Sequence, residues 1–171
     1  MKLDITGLYD IGPKHSIRTF SGIYIDLACP TEDMIYIQDI AHALSMQPRW
    51  TGHLPKLYSV AQHSIECCNM AHPKDKLSAL LHDASEAYLC DIASPIKSLL
   101  SNYKDIENNL MNVIASKFGI VWPPPAAVKE IDAYMLEWEW SSMVLQKQNV
   151  TCYTPDLAER IFLRTFKLLT Q

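Results

Sequence analysis

Three residues in the segment ALLHDASEAY, His82, Asp83 and Glu86, have the types and spacing for chemistry. At about 100° per residue of an α-helix they fall within one arc, opposite a leucine stripe, and can converge on one point. An imidazole beside a carboxylate is a good ligand pair for a borderline divalent metal, and a Glu one turn on could orient a water for attack. Taken alone, an HD dipeptide is as readily part of the solvated face of an amphipathic helix. His63, in YSVAQHSIECC, lies in a segment that is apolar on both sides, where a buried imidazole needs a partner for each nitrogen. A backbone carbonyl could serve, and so could a metal if His82 and Asp83 stand across from it. Asp132, in VKEIDAYML, sits beside the stripe of Ile131, Met135 and Trp138, with Glu130 and Glu137 as rivals that spacing does not separate. Asp91 and Lys97, in CDIASPIK, could return to the same cleft as acid and base, or be a capping Asp and an exposed Lys. Arg49 and Trp50, in RWTGH, combine a phosphate-binding fork with an aromatic plate for a base or sugar, or are a surface Arg and a loop anchor. His53, which closes that motif, takes no assigned role.

The elements that must position these residues are helical. A Ser-Gly break between short β-favouring runs from Ile17 to Leu27 predicts a small hairpin. After Pro30, Ile37, Ile40, Ala41 and Leu44 form a helical stripe that ends before Pro48, and QPRWTGHLP reads as a loop. The segment from Lys56 to about Ala71 predicts a helix buried nearly all round. A further helix spans about Pro73 to Leu89, with Leu77, Leu80, Leu81, Ala84 and Tyr88 as its stripe, and another about Ile96 to Phe118. VWPPP marks a stiff turn, and two final helices cover about Ala126 to Gln146 and Pro155 to Leu169. The expected fold is an all-α bundle of about six helices with a small N-terminal β-hairpin, in one domain over 1–171.

Composition narrows the function classes. A chain of 171 residues that is 49% hydrophobic can bury a core without disulfides. With 15 Lys+Arg against 19 Asp+Glu, a net charge of -4, it offers no basic surface for polymeric nucleic acid or an anionic membrane. No stretch approaches the ~20 apolar residues of a membrane span, and the opening MKLDITGLYDIG lacks a signal-peptide core, so a cytoplasmic protein is expected. The five cysteines are odd in number, include the adjacent pair Cys67 and Cys68, and form no CxxC pattern; reduced, mostly buried thiols are expected.

The ordered set RWTGH, YSVAQHS, LLHDASEAYLCDIASPIK and a helical Asp about fifty residues after the HD pair resembles the HD-domain phosphohydrolases over roughly Thr19 to Leu136. Within them it is similar to bacterial 5′-deoxyribonucleotidases and to short phage and prophage deoxynucleoside triphosphate triphosphohydrolases. The resemblance implies one divalent metal (Mn, Co, Zn, Fe or Ni) on His63, His82, Asp83 and Asp132. It implies Glu86 as acid/base, Asp91 near the sugar and leaving group, Arg49 and Lys97 on phosphate, and Trp50 against the nucleoside. The expected reaction is attack of an activated water on the α-phosphorus of a deoxynucleoside mono- or triphosphate. Rival readings are a catalytically silent nucleotide- and metal-binding module and a helical scaffold with structural histidines. Relatives of such a fold are commonly oligomeric, so a homo-oligomer is also implied; Trp138, Trp140, Phe162 and Phe166 could be core or a dimer surface.

Overall fold

The computed structural model describes residues 13–171, so the expectation that no signal-peptide core is present falls on residues outside the described ones. The chain is mostly helical. Strands β1 (Ser16–Arg18) and β2 (Tyr24–Asp26) pair antiparallel with Ile17 opposite Ile25. The backbone N–H and hydroxyl of Ser21, at the hairpin tip, both donate to Asp39 at 2.7 Å and tie the hairpin to the first helix.

Eight α-helices follow among the described residues: α1 (Ile37–Met46), α2 (Val60–Met70), α3 (Lys76–Leu80), α4 (Glu86–Leu89), α5 (Ser94–Lys97), α6 (Tyr103–Phe118), α7 (Ala126–Glu139) and α8 (Pro155–Leu169). Helix α2 is central, packing on α1, α3, α7 and α8. It is buried on nearly every face, from Val60 and Ala61 through His63, Ser64 and Ile65 to Cys67 and Cys68. One apolar cluster joins α1, α2, α6 and α8 through Ile40, Leu44, Ile65, Leu110, Ile114 and Phe162. Each such large side chain contributes roughly 1.5–3 kcal/mol by leaving water. A smaller cluster, with Cys67, Ala79, Val128 and Met135, joins α2, α3 and α7. The polar groups described below lie along that second seam.

The structure corrects the sequence expectations in five places. The helix expected from Lys56 begins at Val60, because Ser59 is its N-cap and the Ser59 hydroxyl accepts from the Gln62 N–H. The helix expected over Pro73 to Leu89 is broken, and His82 and Asp83 stand in the tight turn between α3 and α4. The cause is local: the His82 Nδ1–H donates to the Ala79 carbonyl at 2.8 Å, and the turn continues through i→i+3 bonds such as Ala84 to Leu81. The helix expected from Ile96 is likewise divided into α5 and α6, giving eight helices instead of six. The helix expected to reach Gln146 changes at Trp140 into a π-helical turn, Trp140–Leu145. All five cysteines are free, but only Cys67 and Cys68 are buried, against the expectation that most would be; Cys29 and Cys90 are exposed. Phe162 is core and Phe166 packs against it edge-on to Phe118, whereas Trp140 is about half exposed. No described helix is long and apolar enough to cross a membrane.

Candidate metal centre

Helix α2 supplies His63, the α3–α4 turn supplies His82 and Asp83, and α7 supplies Asp132. The two imidazoles face each other with their Nε2 atoms 3.3 Å apart. Asp132 Oδ1 lies 3.2 Å from His63 Nε2 and 3.6 Å from His82 Nε2. Asp83 Oδ2 lies 3.2 Å from His82 Nε2 and 3.7 Å from His63 Nε2. Donors held about 2.0–2.2 Å from one cation stand about 3.0–3.5 Å from their neighbours, so this spacing suits a shared ion. Cys67, one turn after His63 on α2, adds a sulfur 3.5 Å from His63 Nε2 and closes a buried His63–Cys67–His82 group on its inner side.

Hydrogen bonding decides which nitrogen each imidazole presents. A carbonyl can only accept, so the Ala79 carbonyl fixes the proton of His82 on Nδ1. His63 Nδ1 donates to Glu139 Oε1 at 2.7 Å, in the carboxylate–histidine pairing that orients metal ligands elsewhere. Both Nε2 lone pairs therefore point at each other and at two carboxylate oxygens. With both rings neutral that arrangement is unfavourable, and either protons on the imidazoles or a shared cation would relieve it. Burial, with Arg49 for His63, pulls the imidazole basicities down. Hydrogen bonds to Asp132, Cys67 and Glu139 outweigh this for His63, and the charges and hydrogen bonds of Asp83 and Asp132 outweigh it for His82, so both end well above the ordinary imidazole value. Against their own burial, the same contacts hold Asp83 at about 2 and Asp132 well below the carboxylate range. The cluster takes up protons where no metal competes for it.

A cavity of about 340 Å³ opens beside the cluster, lined by Arg49, Trp50, Asp83, Glu86, Asp91, Lys97 and Asp132 among others. Its size is at the lower end for a small-molecule site. Glu86 is 4% exposed, and its Oε2 has no hydrogen-bond partner. Burial first, then Asp83 and Asp91, push its carboxyl well above the ordinary value despite Lys97 and Arg49. Asp91 is raised by burial too. It follows Cys90, whose φ of 66° with ψ of 156° is a backbone region normally left to glycine. The Gln47 side chain holds this corner, donating to the Glu86 carbonyl at 2.9 Å and accepting from the Asp91 N–H at 3.1 Å.

Every residue expected at the site lines the cavity or faces the cluster, and Glu130, Glu137 and His53 are exposed and stand apart. Arg49 and Lys97 carry partners already. Arg49 donates from Nε and Nη2 to Glu139 Oε2, at 3.1 and 3.0 Å, and Lys97 bridges Glu86 at 3.4 Å and Glu107 at 3.0 Å. Sequence reasoning missed Glu139, Gln47 and Cys67. A signal existed for two of them: Glu139 follows Asp132 by seven residues and Cys67 follows His63 by four, which places each on its partner's helix face.

No protein-family profile matches the chain. It is 42% identical over 123 residues to "Uncharacterized protein YfdR" of Escherichia coli (strain K12), covering 72% of this chain and 69% of that protein. It is 33% identical over 155 residues to "Uncharacterized protein RCAP_rcc00048" of Rhodobacter capsulatus, covering 85% of this chain and 78% of the other. At that identity and coverage, the chain belongs to the family of YfdR and RCAP_rcc00048.

Proposed function

We propose that this protein is a metal-dependent phosphohydrolase of the HD-domain type that cleaves the phosphate ester of a small deoxynucleotide. The reading rests on one observation: two imidazole nitrogens and two carboxylate oxygens converge beside a cavity that also holds a buried, unpartnered glutamate oxygen.

His63, His82, Asp83 and Asp132 would hold the cation, and two nitrogens with two carboxylates suit Mn, Co, Fe, Ni or Zn better than Mg. When bound, such an ion supplies Lewis acidity, drawing charge from a phosphoryl oxygen and making a nearby water a stronger acid. Glu86, whose carboxyl is pushed up by burial and its acidic neighbours, is placed to pass a proton during cleavage. Asp91 shares that wall, where the leaving 5′-oxygen needs a proton as its bond to phosphorus breaks. Arg49 and Lys97 present the cavity's two cationic side chains to phosphate, and Trp50, Ile92, Pro95 and Leu136 supply apolar surface for the nucleoside.

Charge favours the monophosphate. Four carboxylates and two cationic side chains line the cavity, and both cations already have carboxylate partners. With the Glu86 carboxyl pushed toward its neutral form, three carboxylates against two cationic side chains and a divalent ion leave about one positive charge, which serves one phosphate better than three. The test is release of phosphate or triphosphate from deoxyribo- and ribonucleoside mono- and triphosphates with Mn²⁺ or Co²⁺, against an EDTA control. Inorganic phosphate from deoxynucleoside monophosphates is the expected product. Intact triphosphate would assign a triphosphohydrolase instead, and no metal-dependent product would move the function to a binding module.

A further inference from the structure

Glu139 is fully buried at the point where α7 passes into the π-helical turn, and its two oxygens face different parts of the site. Oε1 accepts from His63 Nδ1 at 2.7 Å. Oε2 accepts from Arg49 Nε and Nη2 and from Trp50 Nε1, the last at 2.9 Å. The residues it holds on that side belong to an unusual turn. Trp50 (φ 57°, ψ 33°) and Thr51 (φ 49°, ψ 29°) are both left-handed and lead into Gly52 at φ 77°. Two consecutive non-glycine residues in that region, one of them β-branched, do not hold this shape unaided. Backbone support comes from the Arg49 N–H to the Tyr58 carbonyl and the His53 N–H to the Trp50 carbonyl; side-chain support comes from Glu139.

We propose that Glu139 is a positioning residue that couples occupation of the His63–His82–Asp83–Asp132 cluster to the order of the Arg49–Gly52 turn, so that the cation and the wall that receives substrate are assembled together. The proposal rests on the metal-centre reading above. A cation on His63 Nε2 polarises the imidazole and strengthens the Nδ1–H bond to Glu139, and the pinned carboxylate then holds its other oxygen under Arg49 and Trp50. Coupling of this kind is reciprocal: a turn ordered by Glu139 favours the ligand-ready tautomer of His63.

Glu139→Gln separates the two functions with one atom. Three N–H donors of the turn select the amide oxygen as their acceptor, which leaves the amide NH2 facing His63 Nδ1. That nitrogen must then accept, so the ring proton moves to Nε2 and the lone pair aimed at the cluster is lost. Zn²⁺ is the probe, followed by competition with a chelating dye and by amide hydrogen exchange. In the unaltered protein Zn²⁺ is expected to slow exchange at Trp50 to His53. In Glu139→Gln, Zn²⁺ affinity is expected to fall roughly ten- to a hundredfold, and exchange in the turn no longer to respond to saturating Zn²⁺. Affinity within twofold of the unaltered protein would overturn the coupling, and so would exchange in the turn that ignores Zn²⁺ in the unaltered protein. That second measurement decides the matter by itself if the variant does not fold. A protein that binds no Zn²⁺ loses the metal-centre reading and this proposal together, whereas Zn²⁺ bound without an effect on the turn removes the coupling alone.

Discussion

His82 and His63 meet at one point but are aimed by different means. The His82 ring is oriented by the Ala79 carbonyl, three residues back in its own turn, and its neighbour Asp83 is the next residue in the chain. The His63 ring is oriented by Glu139, 76 residues later, and meets Asp132, 69 residues later. One half of the cluster is built by a broken helix, and the other exists only once α2 and α7 are packed. The local half forms wherever its turn forms. The remote half reports the state of the whole seam.

The largest test of the comparison removes a donor from the local half. Asp83→Ala is expected to abolish both retained metal after dialysis and hydrolysis; full activity in that variant would end the metal-centre reading. Glu86→Ala comes next, since it leaves all four donors in place. Metal content is expected to stay at the level of the unaltered protein while turnover falls roughly a hundred- to ten-thousandfold, and an apo-protein after the same purification would make Glu86 a ligand or a structural group.

A pH series reads both halves together. The imidazoles of His63 and His82 are raised in the folded chain, so their contribution to stability is complete below about pH 6.5 and is lost as pH rises through their folded values. Asp83 and Asp132 are lowered, so theirs is complete above about pH 4 and is lost as pH falls through their folded values. In EDTA, the melting temperature is therefore expected to decline from pH 6.5 toward pH 9. With saturating Zn²⁺ the trend is expected to be reversed or flat, because protons and metal compete for the same atoms. Identical slopes with and without metal would mean that no such competition exists. The smallest effect is expected in the frame of the remote half. Ser59→Ala removes the N-cap of α2 and costs about 1 kcal/mol, read as a fall of about 2–4 °C in melting temperature with the metal content unchanged.

Much of this molecule is legible without coordinates wherever the controlling interaction is short in sequence. The period of Ile37, Ile40, Ala41 and Leu44 marks α1, Pro155 marks the start of α8, and the Ser-Gly break marks the hairpin. The residue types on YSVAQHS and LLHDASEAY carry the candidate chemistry. The break at His82 escapes because a continuous leucine stripe and a broken one look alike; the side chain that takes the Ala79 carbonyl is invisible to periodicity. Asp132 is separated from Glu130 and Glu137 only by packing, which turns one carboxylate to the imidazoles and leaves its rivals exposed. Glu139 goes furthest: beside two tryptophans it reads as one more acidic residue near a helix end. Its burial, its two-sided bonding and the left-handed turn it supports all depend on contacts across about ninety residues. The sequence by itself determined which residues could bind a cation and which segments would be helical, because those follow from residue chemistry and local spacing. Which donors converge, and what holds them there, was decided only when α2, the α3–α4 turn and α7 closed on one another, because burial and long-range hydrogen bonds exist only in the folded chain.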